Sequence, residues 1–197
     1  VGIITHDDVL DLVQEEADED AYRQSAMEPL ENSYFSTPVL TIARKRGVWL
    51  LVLSVMSLVT AAVARLFESV QDRYSWMESF LPLVLASGGN TGSQSATLII
   101  RAMGVTDLTN HERLSALRRE FATGTLLGVI LGGFIFLVIQ PLFGHSAYEA
   151  LVVGTTIGLV VMMGAMTGSV LPLLFERMGM DPAVMSNPLI ASLSDMF

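Results

Sequence analysis

Four apolar stretches of bilayer length constrain this 197-residue chain more than any other feature of its sequence. A transmembrane helix needs about 20 consecutive apolar residues. The stretches cover about residues 47–67, 76–100, 121–144 and 150–175, and the third and fourth contain no charged residue. A fifth apolar segment, 182–197, is too short to cross a bilayer, because a helix rises only about 1.5 Å per residue. We therefore predict an all-α membrane protein, a helical bundle of five spans per subunit with the fifth incomplete.

The whole net charge of −9 lies in an acidic head that precedes these spans. Residues 1–32 hold ten acidic residues and one basic residue, whereas residues 33–197 are electrically neutral. The head is predicted to form a short apolar strand and then an acidic helix. Without a net positive domain the chain is not expected to bind nucleic acid. The absence of cysteine excludes disulfides and thiolate metal sites.

The basic residues predict the orientation of the spans. If the head is cytoplasmic, the inside segments carry most of the arginines and lysines, and the outside segments carry only Arg73, with Arg65 near that end. This asymmetry follows the positive-inside rule. We therefore expect a multi-pass protein of the inner or plasma membrane, surrounded by lipid, with a cytoplasmic N-terminus. Glycines at helical spacing in the third and fourth spans predict close helix packing.

The second span is unusual because its middle is polar. Residues 88–95 read GGNTGSQS, so Asn90 and several glycines and serines fall near the middle of the membrane. Polar groups at that depth require surrounding protein or water. The stretch therefore lines an aqueous cavity, where carbonyl and amide oxygens suit a hydrated hard cation, or it forms a polar seam between helices. Composition leaves both interpretations open.

Asp195 is the second unusual feature, since it lies deep in the fifth apolar segment, at about mid-span. An acidic residue at that depth is costly and marks a functional site by default. No basic residue occurs in the middle of any span to pair with it, which favours cation binding. Asp181 precedes Pro182, and a helix cap explains it as well as an ion does. No nucleophile–base pair or nucleotide-binding motif is present, so an enzyme is not expected.

With these residues in view, the sequence resembles the MgtE family of magnesium transporters and channels. The resemblance rests on FES at 67–69, PLVLASGGNTGSQSATLIIRA at 82–102, GMDPAVMSNPL at 179–189 and ASLSD at 191–195. The head resembles the end of a CBS domain followed by a connecting plug helix. The resemblance thus implies a CBS remnant over 1–12, an acidic connecting helix over 13–38 and a transmembrane pore domain over 39–197.

The resemblance also implies a homodimer in which the second and fifth spans of both subunits line one central pore. Magnesium would be both the transported ion and a regulatory ligand. The implied pore residues are Asp195, the carbonyls of Gly89, Ser93 and Ala191, Asn187 along the same path, Asp181 at the cytoplasmic end and Asp72 at the outer mouth; Asn90 joins them from the polar run. The implied regulatory acids are Asp8, Asp11, Glu16, Glu19 and Asp20.

Three functions are therefore weighed. The first is a channel or transporter that moves hydrated Mg²⁺ and is gated by cytoplasmic Mg²⁺. The second is a Na⁺-coupled exchanger of divalent cations. The third is a membrane-anchored sensor or interaction protein whose acidic head is the working part. The polar glycine run argues against the third, because a simple anchor needs no cavity.

Overall fold

The computed structural model describes residues 5–30, 33–105, 108–181 and 187–196, and the regular structure within them is entirely helical. A 3₁₀ helix spans Ser75–Phe80. The α helices are α1 (His6–Gln24), α2 (Val39–Leu66), α3 (Glu68–Arg73), α4 (Leu81–Val105), α5 (Asn110–Phe143), α6 (Ala147–Arg177) and α7 (Asn187–Ser194). The strand predicted at the start of the head falls largely on residues 1–4, which lie outside the described residues.

Three of the described helices, α2, α5 and α6, are long and apolar enough to cross a membrane. This confirms the prediction of an all-α membrane protein. The polar run lies within α4, which is nevertheless one continuous helix of 25 residues. In the fifth segment the structure describes only α7 and the turn after it, because residues 182–186 and 197 fall outside the described ranges. The count of five spans stays a prediction.

The acidic head forms α1, which begins earlier than the predicted connecting helix. Thr5 caps it: the Asp8 carboxylate accepts hydrogen bonds from the Thr5 backbone N–H and hydroxyl at 2.8 and 2.6 Å. The Asp8 backbone N–H donates back to the Thr5 hydroxyl, which completes a capping box. The boundary predicted between residues 12 and 13 therefore falls inside one helix. The identity of residues 1–12 as part of a CBS domain stays a prediction.

Equivalent capping boxes start the two long helices α5 and α6. Thr109 donates through its backbone and hydroxyl to the Glu112 carboxylate, and Ser146 does the same to Glu149. The side-chain hydrogen bond from Thr109 lowers the pKa of Glu112. The backbone hydrogen bond from Ser146 is the main cause that lowers the pKa of Glu149. Both carboxylates thus stay ionised at the positive ends of their helices.

Helix α6 is the centre of the bundle, with α5 on one side and α4 on the other. The contact with α5 is made through glycines: Gly128 and Gly132 lie against the backbone of Gly158 and Gly154. A side chain at either position on α5 would meet a carbonyl oxygen of α6. The glycine spacing in the sequence therefore has the packing role that was predicted from it.

The contact between α6 and α4 is also made through glycines. Gly164 and Gly168 of α6 lie directly against the backbone of Gly88 and Gly92 of α4. Backbone-to-backbone contact on both sides of α6 leaves the three helices no room to move closer together. Two of the glycines in the polar run are thus explained by packing.

Helix α2 stands apart from this core. None of its residues is buried, and its main contacts with other helices are those with α7 and α3. Its apolar side chains, such as Leu51 at 71% exposure, face outward. In a membrane these side chains are suitably placed in lipid or against another protein surface.

The glycine contacts generate a paired prediction. Gly132→Ala should lower the thermal stability of the detergent-solubilised protein, because the new methyl group meets the Gly154 carbonyl; overpacking of this kind costs about 1–3 kcal/mol. Gly133→Ala is the matched control, since no atom lies within 4 Å of its Cβ position. It should be neutral or slightly stabilising. Equal losses in both variants, measured by tryptophan fluorescence on heating, would contradict the packing role.

Candidate functional site

A cavity of about 170 Å³ lies between α4 and the last residues of the described chain. It combines the polar run with the deep acidic residue that the sequence singled out separately. Its lining residues are Leu85, Ala86, Gly89, Asn90, Ser93, Ala191 and Asp195. Five residues predicted from the sequence to meet an ion therefore share one cavity in the structure.

The approach of α7 to α4 depends on small residues. A Cβ atom on Gly89 would lie 3.1 Å from the Ala191 Cβ and 3.4 Å from its Cα, which is tighter than ordinary packing allows. Gly89 and Ala191 thus bring the two backbones together. Asp195 lies one helical turn beyond Ala191 and immediately after the end of α7, with its backbone N–H donating to the Ala191 carbonyl at 3.0 Å.

Hydrogen bonds hold the other end of the same contact. The Ser93 hydroxyl donates to the backbone carbonyl of Asn187 at 3.1 Å. The Thr97 hydroxyl lies 2.9 Å from the Ser93 carbonyl and 3.4 Å from Oδ1 of Asn187. Asn187 therefore borders the site through Ser93 and Thr97 rather than lining the cavity itself. Asp195 carries the one carboxylate on the cavity wall.

Thr97 was missed in the sequence analysis, although the signal was present. Gly89, Ser93 and Thr97 follow one another at intervals of four residues, so they lie on one face of α4. That face is the one that meets α7. A polar residue continuing an i, i+4 series of candidate site residues belongs with them.

The two interpretations of the polar run turn out to apply to different faces of α4. Gly88 and Gly92 form the packing seam with α6, and Gly92 also lies against Ile190 and Ser194 of α7. Gly89 and Ser93 face α7 and the cavity, while Asn90 and Gln94 are exposed. Exposed amides in a membrane helix require water or another protein surface beside them.

Asp181 lies away from the cavity and contacts the acidic head. The Arg23 guanidinium, in the last turn of α1, forms ion pairs with both Asp181 and Glu19. One arginine thus connects α1 to the residue just before the fifth apolar segment. The sequence offered no signal for this pairing, because the partners are far apart along the chain.

The remaining predicted acids are not gathered into one site. Asp72 lies exposed on α3, outside the cavity, and Asp11, Glu16 and Asp20 are exposed on α1. Asp8 is engaged in the α1 cap, where the hydrogen bond from the Thr5 side chain lowers the pKa of its carboxyl. Among the described residues of this single chain, no three acidic or histidine side chains lie close enough to hold a metal ion.

The chemistry available at the cavity is therefore that of one carboxylate with hydroxyl, amide and carbonyl oxygens. Oxygen-only donors suit hard cations such as Mg²⁺ or Ca²⁺ rather than softer metals. A single carboxylate with neutral oxygens favours loose binding of a partly hydrated ion over a closed coordination cage.

Comparison with known proteins agrees with this chemistry. Residues 81–197 match the family profile described as "MgtE: Divalent cation transporter". The chain is 38% identical over 197 residues to the "Magnesium transporter MgtE" of Thermus thermophilus, covering 99% of this chain and 43% of the relative. It is 30% identical to the protein of the same name from Bacillus subtilis, again covering 99% of this chain and 43% of the relative.

These relatives extend well beyond the residues compared, since this chain spans less than half of their length. The match nevertheless runs through every helix described above, and the family profile begins at the first residue of α4 and includes the whole cavity. On both counts, the chain belongs to the MgtE family of divalent cation transporters.

Proposed function

We propose that the chain moves Mg²⁺ across a membrane through a path lined by α4 and α7, with Asp195 as the residue that attracts the ion. The observation that carries this proposal is the cavity shared by Asp195 and the polar run of α4. Relatives named as magnesium transporters support the choice of ion. Their names also agree with the prediction that the chain is not an enzyme.

The cavity suits an ion that keeps its water. Mg²⁺ prefers six oxygen ligands and dehydrates reluctantly. A water molecule occupies roughly 10–15 Å³ of such space, so a volume of about 170 Å³ accommodates the ion with its hydration shell. Asp195 then acts through charge, and the Gly89, Ser93 and Ala191 backbone with Asn90 supplies oxygens that bond to the bound waters. Transport needs no ATP, because moving two charges inward is worth about 4–5 kcal/mol per 100 mV.

The path is completed by a second copy of the chain. The exposed amides of Asn90 and Gln94 beside the cavity need a polar neighbour, and a divalent ion is better neutralised by two carboxylates than by one. A homodimer with α4 and α7 of both subunits around one axis meets both requirements. The acidic head then faces the cytoplasm. The starts of α2 and α5 and the ends of α4 and α6, where most of the basic residues lie, face the same side.

Gating by cytoplasmic Mg²⁺ acts through α1. Its crowded carboxylates repel one another, and a divalent cation reduces this repulsion. Through the ion pair between Arg23 and Asp181, a displacement of α1 acts on the residue just before the fifth segment. A ligand that binds one arrangement of α1 more tightly than another shifts the pore between closed and open states.

The role of Asp195 is tested by Asp195→Asn, which keeps the side-chain size and removes the charge. Opposite charges about 4 Å apart interact by about 4 kcal/mol at an effective dielectric near 20, so Mg²⁺ flux should fall at least about ten-fold. Flux into proteoliposomes is followed with a Mg²⁺-sensitive dye under an imposed potential. Glu120→Gln on α5, which contributes nothing to the cavity, should leave the flux unchanged.

The same assay separates the alternatives. Unaltered flux in Asp195→Asn, with the protein still dimeric, would exclude the proposed path. Flux that requires a Na⁺ gradient would favour the coupled exchanger. A protein that transports no divalent cation under any gradient, yet binds a cytoplasmic partner, would favour the anchored sensor.

The Arg23 contact predicts a change in regulation. Exposed ion pairs are worth about 0.2–1 kcal/mol, so Arg23→Gln should weaken inhibition by cytoplasmic Mg²⁺ by a factor of up to about five, with maximal flux unchanged. Arg177→Gln removes an arginine that lies 3.5 Å from Asn110 instead, and it serves as the charge-matched control.

A double-mutant cycle sharpens this test. If Arg23 and Asp181 act as a pair, Asp181→Asn should shift the inhibition curve in the same direction, and the double variant should add little to either single change. Fully additive effects would mean that the two residues influence gating independently, which would contradict the proposed coupling.

A further inference from the structure

A second cavity, which shares no lining residue with the one beside Asp195, lies where the chain enters its first membrane helix. Its volume is about 370 Å³, within the range of roughly 300–1,000 Å³ typical of ligand pockets. It is lined by Glu28 from the segment after α1 and by Leu40, Thr41, Arg44, Lys45 and Val48 of α2. Neither the ion path nor the proposed gating uses this cavity.

The charges in this cavity favour an anion. Arg44 and Lys45 oppose the single carboxylate of Glu28, so the lining carries one net positive charge. The Lys45 ammonium donates to the Pro29 carbonyl, which fixes the wall formed by the preceding segment. The guanidinium of Arg44 presents a planar set of donors that matches the oxygens of a phosphate group, and the Thr41 hydroxyl lies one turn before it.

The surface of α2 that continues from the cavity favours a lipid as the source of that phosphate. Thr41, Arg44 and Val48 lie on one helix face, and that face continues through Leu51, Val52 and Val55. The last three side chains are 71%, 43% and 58% exposed. A cationic pocket above an exposed apolar stripe therefore runs along the first turns of a helix apolar enough to cross the membrane. This is the arrangement that holds the headgroup and acyl chains of an anionic phospholipid.

We propose that this cavity binds the phosphate of an anionic phospholipid, with Arg44 as the main contact and the acyl chains along α2. Because Glu28 and Pro29 belong to the link between α1 and α2, the bound lipid rests against the connection between the acidic head and the membrane helices. Free inorganic phosphate would share the headgroup chemistry without the acyl chains, and the experiment separates the two sources.

Native mass spectrometry of the full chain, delipidated in detergent and then mixed with phosphatidylglycerol or with phosphatidylcholine, tests the proposal. The protein should retain phosphatidylglycerol in preference to phosphatidylcholine. Arg44→Gln should weaken that retention about five-fold, since one basic residue near a membrane surface contributes about that factor. Arg46→Gln makes the same change of charge two residues on, outside the cavity, and should have little effect.

Glu28→Gln guards against loss of binding through misfolding. It removes the negative charge from the cavity, so it should increase phosphatidylglycerol retention, which an unfolded protein does not do. Equal losses in Arg44→Gln and Arg46→Gln would show general surface attraction and overturn the site. Inorganic phosphate could instead raise the thermal stability of the protein as much as phosphatidylglycerol does, with the same dependence on Arg44. That result would overturn the lipid as the ligand. No preference for phosphatidylglycerol would overturn the proposal as a whole.

Discussion

The structure depends on the direct contact of helix backbones across α6. In lipid no hydrophobic force drives apolar helices together, so their association relies on close van der Waals packing. Glycines on α4 and α5 remove the side chains that would otherwise hold the helices apart. Because Gly88 and Gly92 fix one face of α4 against α6, the neighbouring face with Gly89 and Ser93 has a defined direction. The cavity with Asp195 lies where that second face meets α7.

Helix α4 consequently contributes to the site with one of three different surfaces. The face toward α6 holds glycines, the face toward α7 holds Gly89, Ser93 and Thr97, and the third face carries the exposed Asn90 and Gln94. A single sequence of small and polar residues thus provides tight packing and polar groups for the cavity wall together. In the function that we propose, a second copy of the chain covers the third face and completes the ion path.

Much of this could be predicted from the sequence, because hydropathy and helix periodicity are local properties. The apolar lengths predicted the helices α2, α5 and α6. The polar run and Asp195 predicted four of the residues that share the cavity, and the family resemblance added Ala191. What escaped prediction depends on distant pairing: Arg23 with Asp181, and Thr97 with Asn187. The sequence also could not tell which residues of the polar run pack against α6 and which line the cavity, because two neighbouring glycines such as Gly88 and Gly89 look the same in a sequence. The start of α1 at His6 followed from a capping box that the sequence contained at Thr5 and Asp8.

The unequal packing of the helices has a mechanical consequence. Helices α4, α5 and α6 form the closely packed part of the bundle, because their backbones are already in contact at the glycines. Helix α2 has no buried residue, and it reaches the rest of the membrane bundle mainly through α7. In the gating that we propose, a movement that opens or closes a path beside α4 is therefore made by α2 and α7 more easily than by α5 or α6, and the ion pair of Arg23 with Asp181 ties the acidic head to the residue just before the fifth apolar segment.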